Sequence, residues 1–240
     1  MIEIGAQSGS LKHPTPGQQR RAVFLDRDGV INAMVYNPEF GLVDSPQNAD
    51  QFVLLPGVAR AIRLISDLGL LVVVVSNQPG IAKGKYTPAV LEEVTTKMRR
   101  TLAEEGARLD GVYYCLHHPM GLLEEYRRSC DCRKPRPGLL QRAASELGID
   151  LKASFMIGDG LSDILAGKAA GCTAVLLGSH KCDLCRTMED LDARPHFVAH
   201  DLAEAAEIIG ARSRAEPCDL SERTAMRAAS AKGTPGVSTA

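Results

Sequence analysis

Two aspartates one residue apart, Asp26 and Asp28, follow a short apolar run and precede Gly29. A run of this kind that breaks into polar residues and glycine is typical of a buried strand leading into a loop. The carboxyl ends of parallel strands form the edge at which open α/β sheets bind ligands. Two bare carboxylates this close repel each other unless they share a proton or a cation. The pair therefore indicates a Mg²⁺ site, and an aspartate that ends a strand and caps a turn is the simpler alternative.

Polar groups also follow the strands predicted at 70–75, 111–116 and 154–157. They comprise a hydroxyl, an amide, two cations and two carboxylates: Ser76, Asn77, Arg133, Lys134, Asp159 and Asp163. Parallel strands bring groups at their carboxyl ends to one crevice. Acids, a hydroxyl and cations suit phosphoryl transfer, in which catalysis is mainly positioning and charge neutralisation.

Several of these residues also have simpler interpretations. Ser76 could merely end a strand, and Asp163 could be an acid of a first helical turn, which the helix dipole favours. Arg133 could pair with Asp131 at the surface. The convergence of the whole set, rather than any one member, points to a site.

Strand and helix signals alternate from residue 21 to residue 210. After a first strand that ends at Leu25, strands are predicted at 70–75, 111–116, 154–157, 174–177 and 195–199, and helices at 58–68, 87–105, 137–147, 164–170 and 202–209. This alternation predicts an α/β fold with a doubly wound, mostly parallel sheet. Residues 32–56 are predicted as a long flap, and no stretch between the motifs is long enough for a separate cap domain.

Length and composition predict one domain. The chain has 240 residues, of which 45% are hydrophobic and 24% are charged, enough for a single sizeable core. We assign this domain to residues 21–210. Small and polar residues dominate both ends, so residues 1–20 are expected to be a flexible leader and residues 211–240 a disordered tail.

Charge and hydropathy exclude several kinds of partner. The net charge is −1, so no broad basic face favours nucleic acid or an anionic membrane surface. The sequence has no secretory signal pattern and no apolar run near the roughly 20 residues that a spanning helix needs. We therefore expect a cytoplasmic monomer that acts on a small molecule.

The seven cysteines are clustered in a way that does not resemble a disulfide framework. Cys115 and His117 form one close pair, and Cys130 and Cys132 form another. Three thiolates and one imidazole suit tetrahedral zinc with no open position, so we expect a structural site rather than free thiols beside a surface histidine.

Cys182 and Cys185 form a lone Cys-x-x-Cys pair with His180 nearby. A second zinc or redox site is possible there in principle, but the pair has too few partners to predict one.

The motifs, in order, resemble those of the haloacid dehalogenase superfamily of phosphatases. They are Asp-x-Asp-Gly-Val-Ile-Asn, Ser-Asn-Gln, Arg-Lys-Pro and Gly-Asp-x-x-x-Asp, and the resemblance covers about residues 21–210. More narrowly, Cys-x-His-His-Pro followed by Cys-Asp-Cys-Arg-Lys-Pro is similar to the heptose-1,7-bisphosphate 7-phosphatase group, close kin of histidinol-phosphate phosphatases. The sequence departs from that group at Gly160, where a lysine is common, and in the length of the flap at 32–56.

The resemblance implies a role for each matched acid. Asp26 would attack phosphorus and form an aspartyl-phosphate, which splits hydrolysis into two steps. Asp28 would protonate the leaving alkoxide and then take a proton from water. Mg²⁺ would be held by Asp26, Asp159 and the backbone carbonyl of Asp28, with Asp163 assisting directly or through water.

The other matched residues would contact the substrate. Ser76 would hydrogen-bond the phosphoryl oxygens, and Lys134 would neutralise them while positioning Asp26. Asn77 and Arg133 match substrate-contacting positions of the group.

The implied activity is hydrolysis of a small phosphomonoester with Mg²⁺, and the favoured substrate is heptose 1,7-bisphosphate, a precursor for lipopolysaccharide. Histidinol phosphate or another small phosphomonoester is the alternative. A nucleic-acid 3′-phosphatase fits less well without a basic face. A protein of another class, a zinc-stabilised binding module without catalysis, is opposed by the intact set Asp26, Asp28, Lys134 and Asp159. Lys83 and Lys85 could meet a second substrate phosphate or lie in a solvated turn.

Overall fold

The apolar run before Asp26 forms a fully buried strand in the middle of a six-stranded sheet. The computed structural model describes residues 19–37, 42–178, 191–193 and 195–214. The strands are β1 (Ala22–Leu25), β2 (Val35–Asn37), β3 (Leu42–Asp44), β4 (Leu71–Asn77), β5 (Gly111–Cys115), β6 (Phe155–Gly158), β7 (Thr173–Leu177) and β8 (Phe197–Ala199). The helices are α1 (Val58–Asp67), α2 (Pro88–Glu104), α3 (Gly138–Leu147), α4 (Leu161–Ala170) and α5 (Leu202–Arg214), with a 3₁₀ turn at Glu124–Tyr126.

The main sheet runs in the order β5-β4-β1-β6-β7-β8, and every pairing in it is parallel. The order extends outward from β1 in both directions, so the edge around the carboxyl end of β1 is the switch point at which such sheets bind ligands. The predicted doubly wound parallel sheet is therefore confirmed.

Alternate residues of β1 face two different helical layers, as the strand period of two requires. Val23 and Leu25 pack in a core shared with α1, α2 and α5, whereas Ala22 and Phe24 pack in a core shared with α3. Burial on both faces explains why β1 and β4 read as continuous apolar runs. The sheet is thus a rigid platform for the residues that follow its strands.

The helix ends follow local sequence signals. Thr87 caps α2 by accepting a hydrogen bond from the backbone N–H of Val90, with Pro88 at the first helical position. Gly148 ends α3 in the left-handed conformation. These two helices lie close to their predicted positions.

Three of the differences from the predicted boundaries bear on the site or on the end of the domain. Ser76 and Asn77 are the last two residues of β4 rather than the start of a loop. Helix α4 begins at Leu161, three residues before the predicted start at 164. Helix α5 continues to Arg214, past the predicted end at 209 and into the segment expected to be a tail. The rest of that tail and nearly all of the expected leader lie outside the described residues.

The segment predicted as an irregular flap contains a small antiparallel hairpin. Strands β2 and β3 pair with Val35 opposite Asp44 and Asn37 opposite Leu42. Strands of three residues give too short an alternation to detect from sequence. Within the described part of the chain, this hairpin is the only sheet besides the main one, so no cap domain stands between the motifs there. None of the described helices is long and apolar enough to cross a bilayer.

Candidate active site

The side-chain ammonium of Lys134 is buried among three oxygens from three parts of the chain. Its Nζ lies 3.0 Å from Asp26 Oδ1, 2.6 Å from Asp163 Oδ1 and 2.8 Å from the backbone carbonyl of Val75. Lys134 is only 2% exposed. Burial alone would lower the pKa of Lys134, but the charges of Asp163 and Asp26 raise it, so the amine remains protonated. This ammonium fixes the Asp26 carboxylate at the end of β1.

The Asp163 carboxylate uses both of its oxygens within the protein. Oδ2 accepts a hydrogen bond of 3.1 Å from the backbone N–H of Gly160 at the start of α4, and Oδ1 pairs with Lys134. The Asp163 side chain packs directly against the backbone of Gly158. A Cβ on Gly158 would lie 2.2 Å from the Cβ of Asp163, so a side chain at position 158 would displace it. The residue thus combines the predicted first-turn helix position with a direct part in the site.

The third carboxylate of the group, Asp159, lies against the loop that follows β1. Gly29 has a φ of 80°, and a Cβ at this position would lie 2.1 Å from Asp159 Oδ2. A side chain there would displace the carboxylate, which explains why the loop carries glycine. Partial burial and the neighbouring charge of Asp26 raise the pKa of Asp159 to about 6.

Three carboxylates could share one metal ion. One oxygen each from Asp26, Asp159 and Asp163 lie within 4.8 Å of one another. Acids this close repel each other as anions, and after burial the charge of Asp26 is the next largest cause of the raised pKa of Asp159. A hard divalent cation with oxygen ligands relieves this repulsion, so the donor set fits Mg²⁺.

The two aspartates of Asp-x-Asp do not point the same way, so their paired carboxylates do not seat the cation, and the part expected of the Asp28 backbone carbonyl stays a prediction. Asp28 is 8% exposed and is bonded to the guanidinium of Arg27 rather than grouped with the other acids. Burial alone would raise its pKa, but the Arg27 charge and hydrogen bonds from Asn32 and Gln78 hold the pKa of Asp28 below its usual value. The two neighbouring carboxylates therefore occupy separate environments.

The remaining predicted residues lie around this centre. Ser76 is buried at the end of β4, and its Oγ accepts a hydrogen bond of 3.2 Å from Gln78. The side-chain amide of Asn77 is paired with the backbone of Lys134, donating to its carbonyl and accepting from its N–H at 3.0 Å each. Asn77 thus fixes the backbone of Lys134 against β4. A role for Asn77 in contacting substrate stays a prediction.

Two positive side-chain charges, those of Arg133 and Lys83, lie near His118. Arg133 is half-buried, and one of its nitrogens lies 3.4 Å from the backbone carbonyl of His117. Asp131, the surface partner considered for Arg133, pairs with Arg136 instead. Partial burial and the nearby charges of Arg133 and Lys83 lower the pKa of His118. We call Lys83, His118 and Arg133 the basic rim.

Cys115, His117, Cys130 and Cys132 come together as one cluster, as their spacing predicts. The three sulfur–sulfur distances are 3.6, 3.4 and 3.2 Å, and His117 Nδ1 lies 3.4 Å from Cys132 Sγ. Tetrahedral zinc with Zn–S bonds of about 2.3 Å needs sulfurs about 3.8 Å apart, so a small expansion would admit the ion.

The charges within this cluster also fit a metal. The hydrogen bond between Cys115 and Cys132 lowers the pKa of Cys132 to about 5, against the effect of burial. The same contact with Cys132, together with burial, raises the pKa of Cys115. The three thiols are linked by S–H hydrogen bonds. When thiolates bind a divalent cation, the cation takes the place of these thiol protons.

Three residues around Asp28 were given no role from the sequence: Arg27, Gln78 and Tyr86. Arg27 is completely buried beside Asp28, and Gln78 joins Arg27 to the hydroxyl of Tyr86. The available signals were the arginine between two acids at the end of an apolar strand and the glutamine of the Ser-Asn-Gln motif. Cys182 and Cys185, the lone cysteine pair, lie outside the described residues.

Comparisons with known proteins point to one family of phosphatases. A family profile described as HAD-hydrolase-like matches residues 131–205. The D-glycero-β-D-manno-heptose-1,7-bisphosphate 7-phosphatase of Escherichia coli K12 is 47% identical over 161 residues, 67% of this chain and 80% of that protein. The protein of the same name from Yersinia pestis is 38% identical over 192 residues, 80% of this chain and 96% of that protein.

A solved structure with the same fold carries relevant ligands. It is the D,D-heptose 1,7-bisphosphate phosphatase of B. bronchiseptica, complexed with magnesium and phosphate. It is 31% identical, with a TM-score of 0.65, and the match covers 80% of this chain and 99% of that one.

Proposed function

The chain belongs to the family of D-glycero-β-D-manno-heptose-1,7-bisphosphate 7-phosphatases, and on this premise we propose that it removes the 7-phosphate of that sugar through an aspartyl-phosphate at Asp26. The observation that carries the proposal is the Asp26 carboxylate, fixed by the buried Lys134 beside Asp159 at the switch point of the sheet. A nucleophile held in one orientation by a permanent positive charge is what covalent phosphoryl transfer requires.

The first half of the reaction transfers the phosphoryl group. An oxygen of Asp26 forms a bond to phosphorus, and the bond from phosphorus to the sugar 7-oxygen breaks. Asp28 must carry a proton for this step, and the anionic phosphate of the bound substrate, a like charge beside the carboxylate, favours that protonated form. Asp28 gives this proton to the departing oxygen, which leaves as an alcohol. Ser76 donates its hydroxyl to a phosphoryl oxygen. Lys134 contributes its charge and its hold on Asp26, since its three contacts are all within the protein.

The second half releases phosphate. Asp28, now a carboxylate, takes a proton from water as the water oxygen bonds to phosphorus. The bond from phosphorus to Asp26 then breaks and restores the nucleophile. Mg²⁺, held by the carboxylates of Asp26 and Asp159 with the support of Asp163, would cancel the repulsion between an anionic nucleophile and an anionic phosphate.

The basic rim favours a bisphosphate over the alternative substrate. Heptose 1,7-bisphosphate carries a second phosphate, which the cationic side chains of Arg133 and Lys83 would attract, with the imidazole of His118 beside them. Histidinol phosphate carries an ammonium and an imidazole at its far end, and a cationic rim repels a cation. This contrast supports the heptose over histidinol phosphate. A catalytically inactive binding module is opposed by the intact and fully partnered Asp26.

We further propose that Cys115, His117, Cys130 and Cys132 bind structural zinc and that the protein acts as a monomer. The cluster lies on the loop that leads directly into Arg133 and Lys134, and Asn77 ties the end of that loop to β4. Zinc would hold the loop in the shape that delivers these two residues.

The first test measures phosphate release with Mg²⁺ from both anomers of heptose 1,7-bisphosphate and from histidinol phosphate. We expect kcat/KM for one heptose anomer to exceed that for histidinol phosphate by at least about 100-fold.

Asp26→Asn, which keeps the shape but removes the nucleophilic charge, should lower kcat by about a thousandfold or more. Equal and slow rates on all substrates would overturn the heptose assignment, and substantial turnover by Asp26→Asn would overturn the covalent route.

The role of the basic rim is tested with Arg133→Met. We expect kcat/KM for heptose 1,7-bisphosphate to fall by about 10- to 100-fold, because a charged contact to the second phosphate is lost. The loss for a simple alkyl monophosphate should be much smaller. Arg127→Met, which changes an exposed arginine of the same loop, is the matched control. Equal losses on the two substrates would argue against a second-phosphate contact.

Magnesium affinity should depend on pH through Asp159. Because the pKa of Asp159 is about 6 in the metal-free protein, protons compete with Mg²⁺ below that value. Calorimetric titration should show binding about tenfold weaker at pH 5 than at pH 7.5. Asp159→Asn should remove tight binding at both values. The control is Asp110→Asn, at the amino-terminal end of β5, which should keep the pH dependence. Unchanged affinity between the two pH values would contradict the assignment.

Zinc should be coupled to activity. We expect Cys130→Ser to lose bound zinc, measured by elemental analysis, and to lower kcat because the loop no longer holds Arg133 and Lys134 in place. Cys172→Ser changes a buried cysteine outside the cluster and should keep both zinc and activity. Full activity of Cys130→Ser without zinc would refute the coupling.

A further inference from the structure

Asp28 is held by side chains that no part of the reaction above uses. Its Oδ1 accepts hydrogen bonds from Arg27 Nε at 3.1 Å, Arg27 Nη2 at 3.0 Å and Asn32 Nδ2 at 3.0 Å. Its Oδ2 accepts from Arg27 Nη2 at 3.0 Å and Gln78 Nε2 at 2.8 Å. So many donors leave the carboxylate a single orientation, since each rotation would break several bonds.

These partners are in turn fixed by a second set of contacts. The Oε1 of Gln78 accepts hydrogen bonds of 3.0 Å from Arg27 and 2.7 Å from the hydroxyl of Tyr86. These acceptor contacts orient the Gln78 amide so that its NH₂ faces Asp28. The guanidinium of Arg27 lies 5.6 Å from the ring centre of Tyr114. We call Arg27, Asn32, Gln78 and Tyr86 the Asp28 clamp.

The local backbone is shaped to form the clamp. The carbonyl of Arg27 accepts hydrogen bonds from Ile31 at 2.7 Å and Asn32 at 3.1 Å, which coils the loop and returns Asn32 to Asp28. On the other side, a Cβ on Gly80 would lie 2.2 Å from the ring of Tyr86. Only glycine lets this ring reach Gln78.

Burying an arginine costs free energy unless its charge is paired. The burial of Arg27 at this point is therefore explained by its pairing with Asp28. Arg27 is 0% exposed, and Asp28 is the only carboxylate to which the described structure bonds its guanidinium. Asp26, the adjacent acid, is held instead by Lys134. Each acid of the pair thus has a cation of its own.

We propose that Arg27, Gln78 and Tyr86 are positioning residues that orient Asp28 toward the leaving oxygen of the substrate. The inference rests on the proposed phosphatase reaction, in which Asp28 is the proton donor. Arg27 and Gln78 act directly on the carboxylate, and Tyr86 acts through Gln78.

Leaving-group dependence separates this role from a structural one. An alkyl phosphate needs a proton on its departing oxygen, whereas the 4-nitrophenolate of 4-nitrophenyl phosphate leaves without one. Misplacing the proton donor therefore slows only the alkyl substrate, while general loosening of the fold slows both. The quantity to compare is the ratio of kcat/KM for the alkyl phosphate to that for 4-nitrophenyl phosphate, since kcat/KM reports the first transfer.

The test uses Gln78→Glu, which is isosteric but turns the donor facing Asp28 into an acceptor. We expect its kcat/KM for heptose 1,7-bisphosphate to fall by about 100-fold and that for 4-nitrophenyl phosphate by less than about tenfold. Arg27→Lys, which keeps the charge but loses the second donor, should show the same split. The control is Ser154→Ala, a buried polar residue at the other end of the sheet, which should leave the ratio unchanged.

Asp28→Asn, measured in parallel, distinguishes a failure of the proposed reaction from a failure of the clamp inference. If the unsubstituted enzyme hydrolyses neither substrate, or Asp28→Asn leaves the ratio unchanged, the proposed reaction fails. If Asp28→Asn lowers the ratio but Gln78→Glu and Arg27→Lys do not, the clamp inference is overturned. Should those two variants not fold, Tyr86→Phe, which keeps the ring packing, decides the matter: a lower ratio supports the clamp and an unchanged ratio overturns it.

Discussion

The buried ammonium of Lys134 is the interaction on which the site depends. It joins the end of β1 through Asp26, the start of α4 through Asp163 and the body of β4 through the carbonyl of Val75. A buried charge that loses a partner costs about 3–5 kcal/mol, so the three segments are held to one arrangement. The sheet supplies a rigid platform, and the contacts of Lys134 fix the relative positions of the carboxylates on it.

The two aspartates after β1 show how one short motif can hold two different acids. Asp26 faces the other carboxylates and is fixed by a lysine, whereas Asp28 is turned away and enclosed by Arg27 and Gln78. A nucleophile must stay accessible and anionic, while a proton carrier must sit beside the leaving oxygen. Separate cations let neighbouring carboxylates meet these demands without sharing a proton.

The positions of the main strands and of the acids after them could be predicted because parallel strands impose a simple rule on their carboxyl ends. Asp26, Asp159 and Asp163 converge as that rule requires. The hairpin of β2 and β3 could not be predicted, because three residues are too few for a periodic signal. Nor could the burial of Arg27, since an arginine among acids is normally a solvated surface residue. Only the three-dimensional contact with Gln78 and Tyr114 reveals that its charge is enclosed.

The buried residues at the floor of the site are held more firmly than the basic rim. We therefore assign the phosphoryl-transfer chemistry to the floor and the choice of substrate to the rim. Lys134 and Gln78 are buried and bonded on several sides, and Ser76 is buried beside Gln78, so substitutions among them disturb the reaction itself. The basic rim lies on loops: Lys83 is exposed, and Arg133 is bonded to a single described carbonyl. Loops tolerate change where a packed floor does not. A change of substrate can therefore arise at Gly160, the hairpin or the rim while the phosphoryl-transfer groups stay as they are.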